Sequence, residues 1–130
     1  MTPEKALDLV RRYSATGRRI RLLTRLIGDH LEKCDGLDGR RNKLEDDVFL
    51  ASREVDSKGR DKSTHLWNWY QPEEVDRGYM DPGLVWQQIG AEEQAECQHC
   101  YAAHQAIQDR KEARRQFGAI KAAMTRGGAA

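Results

Sequence analysis

PEKALDLVRRYSATGRRIRLLTRLIGDHLEKC, residues 3–34, decides the fold. Within it Ala6, Val10, Tyr13, Gly17, Ile20, Thr24, Ile27, Leu31 and Cys34 follow one another in steps of four and three. That rhythm puts these side chains on one stripe of an α-helix, a coiled-coil-like seam made to lie along a second helix. The start is marked by the Thr2 hydroxyl as cap, Pro3 in the first helical position and Glu4 in the first turn. Asp35-Gly36 supplies the stop. The pattern predicts one helix over residues 3–33.

A partner helix is written at the other end. Residues 92–124 contain no proline and a single glycine, and carry an apolar stripe of Cys100, Ala103, Ile107, Ala113, Phe117, Ile120 and Met124, interrupted by Arg110. Two antiparallel helices of equal rise face each other at positions whose residue numbers have a constant sum. A sum near 134 sets Val10 against Met124, Gly17 against Phe117, Ile27 against Ile107 and Cys34 against Cys100. Thr24, the polar member of the first seam, then meets Arg110, the polar member of the second. Gly17 leaves room for Phe117. The expected fold is all-α: a long antiparallel helical hairpin forming a single domain over residues 1–130.

Between the arms, residues 35–81 read as an irregular, aromatic-rich insert. DGLDGRRNKLEDD and DSKGRD are turn-rich, VFLASREV suits a short strand or a helical turn, and HLWNWYQPEE concentrates aromatic side chains, with Tyr79 and Trp86 close behind. A short helix is expected over residues 82–89, begun by Asp81-Pro82 and ended at Gly90.

The composition is 38% hydrophobic and 33% charged, which leaves a thin core, and the formal net charge is +1. No apolar run approaches the roughly 18–20 residues a bilayer crossing needs, so no membrane partner is expected. The opening MTPEKALDLVRRY lacks the apolar stretch of a secretory signal. Together with an odd number of cysteines, this suits a reducing, cytoplasmic setting.

The three cysteines are the clearest chemical signal. Cys97 and Cys100 form a CQHC knuckle, His104 follows one turn later, and the register brings Cys34 to the same end. Three thiolates and an imidazole make a closed tetrahedral zinc set, structural because no coordination position is left open. The expected ligands are Cys34, Cys97, Cys100 and His104, with His30 as the alternative fourth. His99 and His65 are weaker candidates. The competing readings are buried free thiols, or a redox CxxC, which lacks its usual βαβ setting.

Arg18, Arg19, Arg114 and Arg115 come together in this register as a local positive surface. Such a surface suits the phosphates of DNA or RNA, or an acidic protein; its plainer reading is a solvated helix face. Trp67 and Trp69, with Tyr70, Tyr79 and Trp86, either form a contact patch for a partner or fold back over the two-helix core. No paired carboxylates, triad or glycine-rich phosphate loop stands out, so no enzymatic role is expected.

The stretch CQHCYAAHQAIQDRKEARRQFGAIKAAM resembles the C-terminal part of small uncharacterised proteins of tailed bacteriophages and prophages, which carry a CxHC followed by an Arg/Lys/Ala-rich helix. STHLW and the cysteine after the first helix are similar too. The resemblance implies a phage origin and action in the cytoplasm of an infected bacterium, and transfers no catalytic residue. It points to an accessory protein that modulates or inhibits a host complex such as a defence system. A nucleic-acid-binding transcriptional regulator is the alternative. A seam of this kind also allows a homodimer built as a four-helix bundle.

Overall fold

The structure is a computed structural model that describes residues 1–37, 39, 44, 45, 48, 49, 62–70 and 82–128. The chain is mostly helical, and a pair of long helices packs together. In chain order the elements are α1 (Pro3–Glu32), β1 (Leu44–Glu45), β2 (Val48–Phe49), α2 (His65–Tyr70), α3 (Pro82–Gln88), α4 (Ala91–Glu96) and α5 (Gln98–Gly128). β1 and β2 make one small antiparallel pairing, Leu44 opposite Phe49 and Glu45 opposite Val48. The rest of VFLASREV, DSKGRD and Tyr79 lie outside the described residues.

Met1–Ile27 with Gln105–Ala130 make one compact unit of the chain, and Gly28–His104 a second.

In the first unit, α1 begins as its sequence signals. The Thr2 hydroxyl accepts the Lys5 N–H at 3.2 Å, which satisfies one of the amides a helix start leaves open. The Tyr13 and Phe117 rings stack with centroids 4.4 Å apart. Thr24 donates its hydroxyl proton to the Ile20 carbonyl and accepts from Arg110 at 3.3 Å, so the two polar seam positions meet.

The seam itself departs from the expected line at some positions and keeps it at others. Val10 is 48% exposed, whereas Leu23 and Ile27 are each only 7% exposed. Thr24 is also exposed, and Leu9, Tyr13, Thr16 and Ile20 are half-buried. The covered stripe is therefore Leu9, Tyr13, Thr16, Ile20, Leu23 and Ile27, again in steps of four and three. It shares Tyr13, Ile20 and Ile27 with the expected stripe, whose Gly17 is half-buried as well, and brings in Leu9, Thr16 and Leu23 where Val10 and Thr24 are exposed. The larger apolar side chains win the interface, as burial of apolar area requires. A methyl group added at Gly17 would stand 3.5 Å from Phe117, an ordinary contact, so Phe117 does not need the glycine.

The second unit holds the short helices. Thr64 is 2% exposed and accepts the Trp67 N–H at 3.2 Å, capping α2 inside the expected irregular insert. Tyr70 packs against Trp86 of α3, with ring centroids 5.6 Å apart. The Glu93 carboxylate reaches back to the Gly90 N–H at 3.0 Å and fixes the start of α4.

The helix expected over 92–124 is broken at Cys97. This residue is extended (φ −154°, ψ 105°) and closes α4 through its N–H on the Glu93 carbonyl. Its Sγ then accepts the Cys100 N–H at 3.4 Å, in the manner of an N-cap side chain opening α5. A continuous helix would direct the Cys97 side chain away from that amide; the break turns the sulfur back toward Cys100.

Candidate metal centre

Cys34, His65, Cys97 and Cys100 present one sulfur or ring nitrogen each, and the four atoms lie within 4.8 Å of one another. Cys34 and Cys100 are fully buried, and Cys97 and His65 are half-buried. All four belong to the second unit.

Each ligand is positioned by local structure. Cys34 follows the end of α1, with its N–H on the Leu31 carbonyl at 3.2 Å. Gly36 turns the chain with φ +84°, a region glycine enters without a Cβ clash, and points its N–H at the Cys34 sulfur at 3.3 Å. Leu37 then donates to the Ser63 carbonyl at 3.2 Å, tying this turn to the one before α2. Thr64 caps α2, and His65, its first residue, comes to rest with Nδ1 3.2 Å from the Cys34 sulfur. The other imidazole nitrogen, Nε2, faces Glu96 Oε1 at 3.7 Å, and the Trp69 indole N–H holds Glu96 Oε2 at 3.2 Å. A carboxylate behind a ligating imidazole fixes its ring and tautomer, and amide N–H groups aimed at sulfur favour the thiolate.

The electrostatics are those of a shared proton. The Cys34 thiol is held well below the usual thiol range, first by the hydrogen bond from Cys100. The His65 and Gly36 hydrogen bonds act in the same direction, and burial opposes them. Cys100 is pushed far up, first by that same bond to Cys34 and then by burial. The two sulfurs thus hold one proton between them. A cation bound here would displace that proton, so its uptake would compete with hydrogen ions.

No protein-family model, no curated protein and no solved structure matches the chain. The site is therefore read from its own donors. A tetrahedral ion with bonds of about 2.3 Å to sulfur sets neighbouring donors about 3.8 Å apart. The four donors reach that geometry with small shifts, since none lies beyond 4.8 Å from another.

The three cysteines expected to converge do so, but the fourth corner is His65 rather than His104 or His30. His104 is buried and engaged elsewhere: its Nδ1 lies 2.7 Å from the Tyr70 hydroxyl. Burial pushes its pKa down, partly offset by the Glu93 carboxylate. His30 is half-buried, and its Nδ1 is enclosed without a hydrogen-bond partner among the described residues. His99 is exposed. The signal that favours His65 is the Thr64 cap, which places the imidazole at a helix start.

Of the expected contact residues, Arg18, Arg19, Arg114 and Arg115 are all exposed, and Arg115 Nε pairs with Glu112 at 2.9 Å. Trp67 and Trp69 are half-buried. Trp69 is spoken for by Glu96, and the Lys62 ammonium lies 5.4 Å from the centre of the Trp67 ring. Among the described residues, no helix is long and apolar enough to cross a membrane.

Proposed function

We propose that the chain is a non-enzymatic binding protein whose second unit is stapled by one structural zinc ion on Cys34, His65, Cys97 and Cys100. The observation that carries this reading is the convergence of these four donors, two of them fully buried. Three sulfurs and one imidazole form a donor set typical of structural zinc, and four protein ligands leave no position for substrate or water. Zinc would tie together three segments of this unit, the end of α1, the start of α2 and the junction of α4 with α5.

In this reading the first unit is an antiparallel hairpin. Its support is the order of contacts: Gly17 lies beside Phe117, and Thr24, further along α1, meets Arg110, earlier on α5. The resemblance to phage-encoded proteins assigns the action to a macromolecular complex of an infected bacterium, with the metal building the protein and the working surface lying elsewhere.

Elemental analysis of protein purified without chelator tests the staple. About one zinc per chain is expected, with Cys97→Ser releasing it. Folded, zinc-free protein with three freely titrating thiols would sink the proposal.

A further inference from the structure

The near-zero net charge of the chain conceals a strong segregation. Residues 1–27 and 105–130 together carry thirteen Lys and Arg against four Asp and Glu, nine net positive charges; residues 28–104 carry nine against seventeen, eight net negative charges. The boundary between these two populations is the boundary between the two compact units.

Two of the four acids in the basic unit are already matched to bases, Asp8 to Arg12 at 3.8 Å and Glu112 to Arg115. Arg11, Arg18, Arg21, Arg25, Arg114 and Lys121 are exposed, with no carboxylate in ion-pair range among the described residues. Arg11, Arg18 and Arg25 recur every seven residues, about 10.5 Å apart along the axis. At 100° per residue they fall on the side of α1 opposite the covered stripe of Leu9, Thr16 and Leu23. That spacing is close to the Debye length of about 8–10 Å at physiological salt, so neighbouring cations reinforce one another.

We infer that this unit binds the phosphate backbone of duplex DNA through the outward face of α1, with Arg11, Arg18 and Arg25 as the principal contacts. The inference deepens the binding-protein reading and rests on it. Charge identifies a polyanion, and the aromatic side chains discriminate among polyanions. Sequence-tolerant single-strand binding uses exposed rings on which bases stack. The aromatic residues of this unit, Tyr13 and Phe117, are half-buried and stack on each other. The remaining choice is between duplexes. A helix about 10–12 Å across matches the major groove of B-form DNA, about 12 Å wide, whereas the A-form RNA groove is too narrow to admit it. Binding is driven by release of counterions and carries little sequence preference.

The test uses the full-length, zinc-loaded chain and a labelled 20-base-pair DNA duplex, titrated by anisotropy at several salt concentrations. Its arms are the corresponding single strand, an RNA duplex and polyglutamate. Micromolar binding to duplex DNA at low salt is expected, with log K falling linearly against log salt. Arg11→Ala/Arg18→Ala/Arg25→Ala lies on an exposed helix face and favours helix, so the fold is retained. It should weaken binding at least tenfold and flatten the salt slope by about 2.7. No duplex binding at 50 mM salt, equal binding by the triple variant, or preference for the single strand or RNA overturns the inference. Preference for polyglutamate overturns it too, but leaves a binding protein with an acidic protein partner. Zinc content measured on the same samples reports separately on the staple.

Discussion

His65 and His104 differ in what surrounds them. His65 turns Nδ1 to the Cys34 sulfur and Nε2 to the Glu96 carboxylate, while His104 is occupied by the Tyr70 hydroxyl. Competition with a chromophoric chelator should show His65→Ala losing tight zinc binding and His104→Ala keeping one equivalent. Glu96→Ala should retain the stoichiometry but bind about 10–100-fold more weakly, the usual cost of removing the group behind a ligating imidazole. Zinc affinity unchanged in His65→Ala would return the fourth position to His104 or His30. His104 also makes a pH prediction. Its folded pKa lies below the unfolded value near 6.5 because burial disfavours the imidazolium. The unfolded chain therefore takes up the proton first, and stability is lost as pH falls from about 6.5 toward the folded value. Denaturant melts at saturating zinc should show that loss reduced in His104→Gln relative to the parent, with the difference vanishing above pH 7.5. The cysteines were legible in the sequence because CxxC is local and Cys34 ends a periodic helix. His65 was less so, because it is tied to Cys34 by a turn-to-turn hydrogen bond between Leu37 and Ser63 that no periodicity announces.

The two long helices were legible because caps and a period near 3.5 residues act locally, whereas the position of their seam was not. Two interleaved stripes satisfy the same spacing in α1 and share Tyr13, Ile20 and Ile27. Only packing distinguishes them, and it chose the one bearing Leu9 and Leu23 over the one bearing Val10 and Thr24. Leu23→Ala should accordingly cost about 2–5 kcal/mol of unfolding free energy, the range for truncating a buried leucine. Val10→Ala should stay within about 0.5 kcal/mol, as exposed substitutions do. Urea melts followed by far-UV circular dichroism decide between the stripes, and the opposite ranking would restore the first one. The break between α4 and α5 escaped the sequence for a related reason. Residues 92–124 are good helix formers throughout, and what interrupts them is the demand that Cys97 turn its sulfur back to the Cys100 amide. Intrinsic propensity is a weak prior against such a constraint.

At the scale of the molecule the two units differ in what holds them. The buried apolar side chains of the first unit include Leu23, Ile27, Ala113 and Ile120; those of the second include Leu66, Val85 and Ala103, with the two sulfurs Cys34 and Cys100 among them. A metal held by these sulfurs would thus be part of the second unit's core, and its removal should act there first. All three tryptophans, Trp67, Trp69 and Trp86, belong to this unit, so their fluorescence reports on it alone. Chelation to completion should shift tryptophan emission to the red and expose the amides of α2 and α4 to hydrogen exchange. Most described helical residues lie outside this unit, in α1 and α5, so much of the ellipticity at 222 nm should persist. Zinc at 1,000 times its dissociation constant contributes about 4 kcal/mol to a state that alone binds it. Returning it should restore both signals. The two probes should then melt at different denaturant concentrations in the metal-free protein, which marks a departure from two-state unfolding. Tryptophan emission unmoved after verified loss of the metal would mean that the second unit stands without its staple, and coincident loss of both signals would mean that the units fold as one.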